Sequence, residues 1–286
     1  MITALHPAAV RSATRAAFAL CGALSWDVFG ALPAAAQSAE EASATSAAPT
    51  ATAQRAFSTD RPDRTESPYS VEPGHVQVEL DMLAHSSERT SLQRRDGLSV
   101  AVTNMKLGLN RAIDLQLVVE PFVRERTKIR GGVVSSDAEV RHSFGGVTPR
   151  LKWNLWGNDG GRTAGALLPY VVIPAESHER SVPGIVIPVS VELPAGAGLG
   201  VMAGVEHAGG EVWIGSATVS HSLGGPLDAF VELWGARDAA RTWTRTFDLG
   251  VTFEASKSVR FDIGFYHALD RGVDADVVFT GVSLRR

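Results

Sequence analysis

Serine and histidine stand side by side twice, at His142-Ser143 and Ser220-His221, the residue types from which a hydrolase builds a nucleophile and its base. Adjacent residues on a strand point to opposite faces, so neither pair can form its hydrogen bond locally. A hydrolase would need a serine and a histidine meeting from different strands. The eight histidines are scattered, with no H-x-x-x-H spacing to hold a metal. Gly196 to Gly204 is glycine-rich but precedes no helix, so it reads as a bend or a close backbone approach, not a phosphate loop. The expectation is a protein without catalytic residues, metal or cofactor.

The denser chemistry is ionic. Glu79, Asp81, Gln116, Glu120, Arg150, Lys152, Glu192, Glu232, Asp248, Glu254, Arg260 and Asp262 lie on the polar side of alternating runs, with Arg124 just beyond one of them. If the apolar neighbours face lipid, these side chains line an enclosed lumen. Acids and bases are mixed there, so they either border a weakly ion-selective pore or satisfy one another in a plugged one. Upstream, Phe57 to Gly74 carries Asp60, Arg61, Asp63 and Glu66 among Pro62, Pro68 and Pro73. The prolines forbid a continuous helix or central strand, and the charges forbid an apolar core. This segment is either a solvated linker or a polar piece inside a lumen. In the second case Asp60, Arg61, Asp63 and Glu66 form its constriction.

The elements that must position these residues are strands. In Thr246 to Tyr266, Phe247, Leu249, Val251 and Phe253 alternate with Asp248, Gly250, Thr252 and Glu254. After the break at Ala255 to Ser258, Val259, Phe261, Ile263 and Phe265 alternate with Arg260, Asp262, Gly264 and Tyr266. Strict period-two alternation about a short break predicts an antiparallel hairpin. It suits either a sandwich with its apolar face inward or a membrane barrel with that face toward lipid. Similar runs from His75 to Leu284 bring the number to about twelve, an even number as in single-chain bacterial barrels. Pro121, Pro169 and Pro188 fall inside three of them, awkwardly for a central ladder. Short breaks at 110–112, 157–162, 194–197, 222–226 and 255–258 alternate with longer charged ones at 86–97, 127–146, 175–184 and 236–241. A barrel sorts its connections this way, with short turns at the periplasmic end. Trp153, Trp156, Trp213, Trp234, Trp243 and Tyr170 sit near strand ends, as an interfacial girdle would place them.

The 286-residue chain has a net charge of −4 and no footprint for nucleic acid. No run approaches the roughly 20 apolar residues of a spanning helix. Arg11 and Arg15, the apolar run Ala16 to Leu24 and Ala34-Ala35-Ala36 read as an export signal over residues 1–36. Cys21, the single cysteine, lies within it, so the mature chain is expected to lack disulfides and thiolate metal sites. Residues 37–56 read as a flexible tether, 57–74 as the polar segment in or across the lumen, and 75–286 as the barrel.

Ser58-Thr59-Asp60-Arg61-Pro62-Asp63, Thr65-Glu66-Ser67-Pro68, Pro73-Gly74 and Gln77-Val78-Glu79 resemble a bacterial outer-membrane transporter family named for a meta-pathway of phenol degradation. Leu151 to Gly157, Pro188 to Gly196, Ser216 to His221 and Phe230 to Gly235 continue the resemblance. It implies an outer-membrane β-barrel, in contact with membrane lipid, that passes small, often aromatic or hydrophobic, solutes. The sequence departs from the family pattern at Phe144-Gly145-Gly146-Val147-Thr148, which lacks an acid, and at Ser283-Leu284-Arg285-Arg286, which lacks a terminal aromatic. A non-transporting structural or surface-interaction barrel and an outer-membrane hydrolase are the alternative functions.

Overall fold

The computed structural model describes residues 55–129, 139–176 and 179–286. The expected signal peptide with Cys21, and all of the expected tether except Arg55 and Ala56, lie outside these residues. Fourteen strand segments follow one another: β1 (Val76–Arg89), β2 (Gln93–Gly108), β3 (Ile113–Glu120), β4 (Phe122–Ile129), β5 (Glu139–Ser143), β6 (Gly146–Trp156), β7 (Thr163–Pro174), β8 (Val182–Glu192), β9 (Ala197–His207), β10 (Glu211–Gly224), β11 (Leu227–Arg237), β12 (Trp243–Ser256), β13 (Val259–Ala268) and β14 (Asp274–Arg285). A 3₁₀ turn, Pro194–Gly196, joins β8 to β9.

Every neighbour is antiparallel. The ladder runs from β1 through β14 and down in order to β6, then to β3 and β2, and β2 pairs with β1 to close the sheet. Closure pairs β1 on both sides, and β5 alone stands at the end of the strand order. β4 pairs with β2 where β3 leaves off, and β5 pairs with β4. The pairs β3–β4 and β5–β6 therefore each fill one place in the wall, giving the closed twelve-stranded antiparallel barrel. Pro121 stands at the first break, where it has no N–H to give the ladder. The Gly145 N–H donates to the Glu120 carbonyl at 3.1 Å beside the second. Register between β6 and β7 thins out between Val147 and Trp153, where Pro149 and Pro169 withhold two more donors.

The hairpin β12–β13 shows what separates the two faces. Leu249, Val251, Phe253, Phe261 and Ile263 are exposed on the outside, whereas Asp248, Thr252 and Asp262 are buried on the inside. A sandwich buries its apolar face against a second sheet, so this arrangement belongs to a barrel. Trp153, Trp156, Trp213 and Trp243 are also about half exposed.

Three expectations are corrected. Trp234 is only 6% exposed and Tyr170 bonds an inner-wall acid, so both face the lumen and not the girdle. Parity along the strand decides this: Trp234 shares the face of Phe230 and Glu232. Residues 86–97 form no long loop, because β1 and β2 pair out to Arg89 and Arg94 and the turn is closed by Thr90 N–H to the Gln93 carbonyl at 2.9 Å. Beyond a bilayer both faces of a strand meet water, so the ladder continues there without apolar alternation. The expected sorting of loop lengths is correspondingly weaker, since Ala208–Gly210 on the long-loop side is as short as the turns opposite.

Candidate functional site

Residues 57–74 fold back on themselves against the inner face of the wall, with Ser58 Oγ 2.7 Å from Ser67 Oγ, and are tied to it on several sides. Asp60 is the centre of the tie. Its carboxylate lies 2.5 Å from Lys106 Nζ on β2 and 2.6 Å from Lys152 Nζ on β6. Lys106 also pairs with Glu79 on β1, and Glu79 accepts the Asp60 backbone N–H at 3.1 Å. The two lysines and two carboxylates thus neutralise one another with almost no solvent contact. Buried charges require such pairing, because each one alone costs several kcal/mol to desolvate.

Three further plug side chains reach other strands. Arg61 pairs with Asp81 on β1 and with Asp262 on β13, the latter at 2.6 Å. Glu66 accepts from Arg150 Nη1 on β6 at 2.6 Å. Thr65 donates to Glu232 Oε1 on β11 at 2.5 Å, and the Arg64 backbone N–H reaches Glu232 Oε2 at 2.8 Å. The backbone is held as well. Tyr266 donates to the Pro62 carbonyl at 2.9 Å, Asn154 to the Pro68 carbonyl at 2.8 Å, and Asp114 accepts the Val71 N–H at 2.9 Å. Prolines keep this segment out of regular helix and strand, so its carbonyls stay available to wall donors. Phe57 anchors the start, with the guanidinium carbons of Arg285 and Arg260 at 5.0 and 5.5 Å from its ring centre.

Burial sets the electrostatics of the plug. It would raise Asp60, but the charges of Lys106 and Lys152 outweigh it and hold this carboxyl far below its ordinary range. Burial also opposes the Arg61 charge, which Asp81 and Asp262 more than restore. Asp63 is pushed well up by burial and by the Glu232 charge. Glu66 is raised by burial, with Arg150 opposing.

Of the residues singled out in the sequence, Glu79, Asp81, Arg150, Lys152 and Glu232 contact Asp60, Arg61, Thr65 or Glu66 directly. Asp63 and Asp248 stand beside Glu232. Glu120 is buried at the end of β3, while Arg124 lies past the Pro121 break, exposed on β4 and apart from this cluster. Lys106 and Arg64 are not among the candidates the sequence offers, and Asp114 and Tyr266 are legible there only as polar-face positions of their strands. Met105-Lys106-Leu107 carries the same alternation, the signal that places Lys106 on the inner face.

The remaining lumen has two characters. Leu168, Val186 and Met202, on β7 to β9, form a buried apolar strip against which Tyr170 and Ile214 pack. At the short-turn end a vestibule of ≈ 1370 Å³ opens between the plug and the turns, reaching from Arg55 and Asp63 to Asn158, Gly196 and Ser222.

A closed barrel with apolar residues outward and a polar, plugged interior is an outer-membrane β-barrel. Residues 59–285 match the family described as "Putative MetA-pathway of phenol degradation", and the chain belongs to it. Among solved structures it is similar to the translocator domain of the autotransporter NalP from Neisseria meningitidis, with 11% identity and a TM-score of 0.50 over 74% of this chain and 89% of that one. An outer membrane channel from Pseudomonas putida F1 gives 9% identity and a TM-score of 0.48, over 76% of this chain and 98% of that one. The KdgM porin in complex with disordered oligogalacturonate gives 6% identity and 0.47, over 73% and 98%. A comparison with curated proteins finds no match.

Proposed function

We propose that this barrel passes small, often aromatic or hydrophobic, solutes across the outer membrane, with lipid acyl chains around its apolar belt and residues 57–74 as its constriction. The observation that carries the reading is the noncovalent plug. Its ties are ion pairs and hydrogen bonds, and it borders a vestibule of ≈ 1370 Å³ at the short-turn end. The strip of Leu168, Val186 and Met202 offers an apolar flank inside an otherwise charged lumen. Asp60, Arg61, Asp63 and Glu66 act as the constriction in this reading, with Glu79, Asp81, Arg150, Lys152 and Glu232 as their docking sites and Asp248 and Glu120 on the same inner wall.

No catalysis is part of the proposal. Ser220 and His221 alternate across β10, so neither serves the other as nucleophile and base. A second reading, a structural barrel that transports nothing, draws support from the completeness of the Asp60–Lys106–Lys152–Glu79 network. Single-channel recording and liposome uptake separate the two. Deleting residues 57–74 is expected to raise conductance and small-solute uptake; unchanged permeability in both assays would leave the structural barrel.

A further inference from the structure

On the β11–β13 flank the plug presents a cation to an aromatic wall. The guanidinium carbon of Arg64 lies 3.5 Å from the Trp234 ring centre and 5.5 Å from that of Tyr266. Arg64 Nη1 also donates to Thr246 Oγ1 at 3.3 Å. Acids surround this spot. Glu232 and Asp248 face each other directly across β11 and β12, and Asp63 approaches Glu232 from the plug.

Asp248 is the anomaly. It is fully buried with Thr246 and Glu232 beside it, yet neither of its carboxylate oxygens makes a hydrogen bond of good geometry among the described residues. Directly opposed acids repel across a ladder, and the charge of Arg64 is what offsets the buried Asp248 carboxylate. The place therefore favours positive charge beyond what hydrogen bonding supplies. Aromatic faces select a large, weakly hydrated cation over a compact metal ion. Consistently, no group of acids among the described residues is arranged to hold a metal.

We infer that the inner wall formed by Trp234, Tyr266, Glu232 and Asp248 is a binding site for an organic cation of guanidinium or alkylammonium type, which Arg64 of the plug fills as a tethered occupant. The inference rests on the passage reading for its route, because Asp63 borders both this cluster and the vestibule from which a solute arrives. A solute cation that takes the place of Arg64 frees one flank of the plug and leaves the Asp60–Lys152 tie intact. Such solutes thereby compete with the plug, while neutral solutes of the same size do not.

The test is titration calorimetry on the purified full barrel with methylguanidinium, tetramethylammonium and, as the neutral counterpart, tert-butanol. Arg64→Ala is expected to bind either cation about tenfold more tightly than the wild type, the ratio a desolvated cation–π contact supports. Adding Trp234→Leu should remove that gain. Arg64→Gln replaces Arg64→Ala if the latter gives no heat-modifiable barrel. Equal binding of tert-butanol, or no gain on removing Arg64, overturns the inference. Binding is read without flux, so a barrel that binds the cations but passes no solute fails the passage reading alone.

Discussion

Lys152 Nζ lies 2.6 Å from Asp60 Oδ1, joining two side chains 92 positions apart that are both nearly sealed from solvent. Lys106 approaches the other oxygen of the same carboxylate. One plug residue therefore holds two wall strands, β2 and β6, in electrostatic balance with Glu79.

Asp60→Asn leaves that balance two positive charges to one negative. Breaking a buried pair by removing one partner costs about 3–5 kcal/mol. The expected result is a lower thermal midpoint for the heat-modifiable band and a higher single-channel conductance as the plug loosens. Wild-type conductance and stability together would show that the plug is held elsewhere.

Acidification should tighten the plug. Asp63 and Glu66 have raised folded pKa values, so their contribution is complete below the unfolded value and lost as pH rises through the folded one. Asp60 is depressed, so its contribution is present above the unfolded value and lost only as pH falls through its far lower folded one. Between neutral and mildly acidic pH the first effect governs. Conductance is expected to fall over that window, and Asp63→Asn to flatten the response; a rise in conductance would contradict the assignment.

Gly108 makes room for the end of the plug. A Cβ there would run into the carbonyl of Glu72, which is backbone and cannot swing aside. Gly108→Val is expected to lift residues 71–74 from the wall at a cost of roughly 1–3 kcal/mol, visible as earlier melting and faster proteolysis near Glu72. Unaltered melting and proteolysis would mean that the plug accommodates the side chain.

Ile263 faces outward at 51% exposure. Ile263→Lys should cost about 2–4 kcal/mol in a bilayer if it sits near the midplane, measured by unfolding in vesicles. In detergent-free aqueous buffer the same change should reduce aggregation. Equal stability in vesicles would place this position outside the hydrocarbon layer.

The strands were legible in the sequence because a barrel wall in lipid imposes an obligatory alternation. Phe247 to Phe253 and Phe261 to Phe265 could satisfy it only as strands. The family resemblance over Ser58 to Glu79 pointed to the same architecture. Where water lies on both faces that constraint lapses, and residues 86–97 consequently looked like a loop although β1 and β2 continue through them.

The inner face could be listed from the sequence but not wired. Period two states that Lys152 and Glu232 share a side of the sheet with Asp248. It does not state that Asp60 will lie between Lys152 and Lys106, or that Arg64 will reach Trp234. Those pairings span long stretches of chain and depend on how the closed ring curves its inner faces toward one folded-back segment. Alternation is a local property and was fixed by the order of residues alone; which charge meets which was decided by closure of the barrel around residues 57–74, since only then do distant strands come within bonding distance of the same side chain.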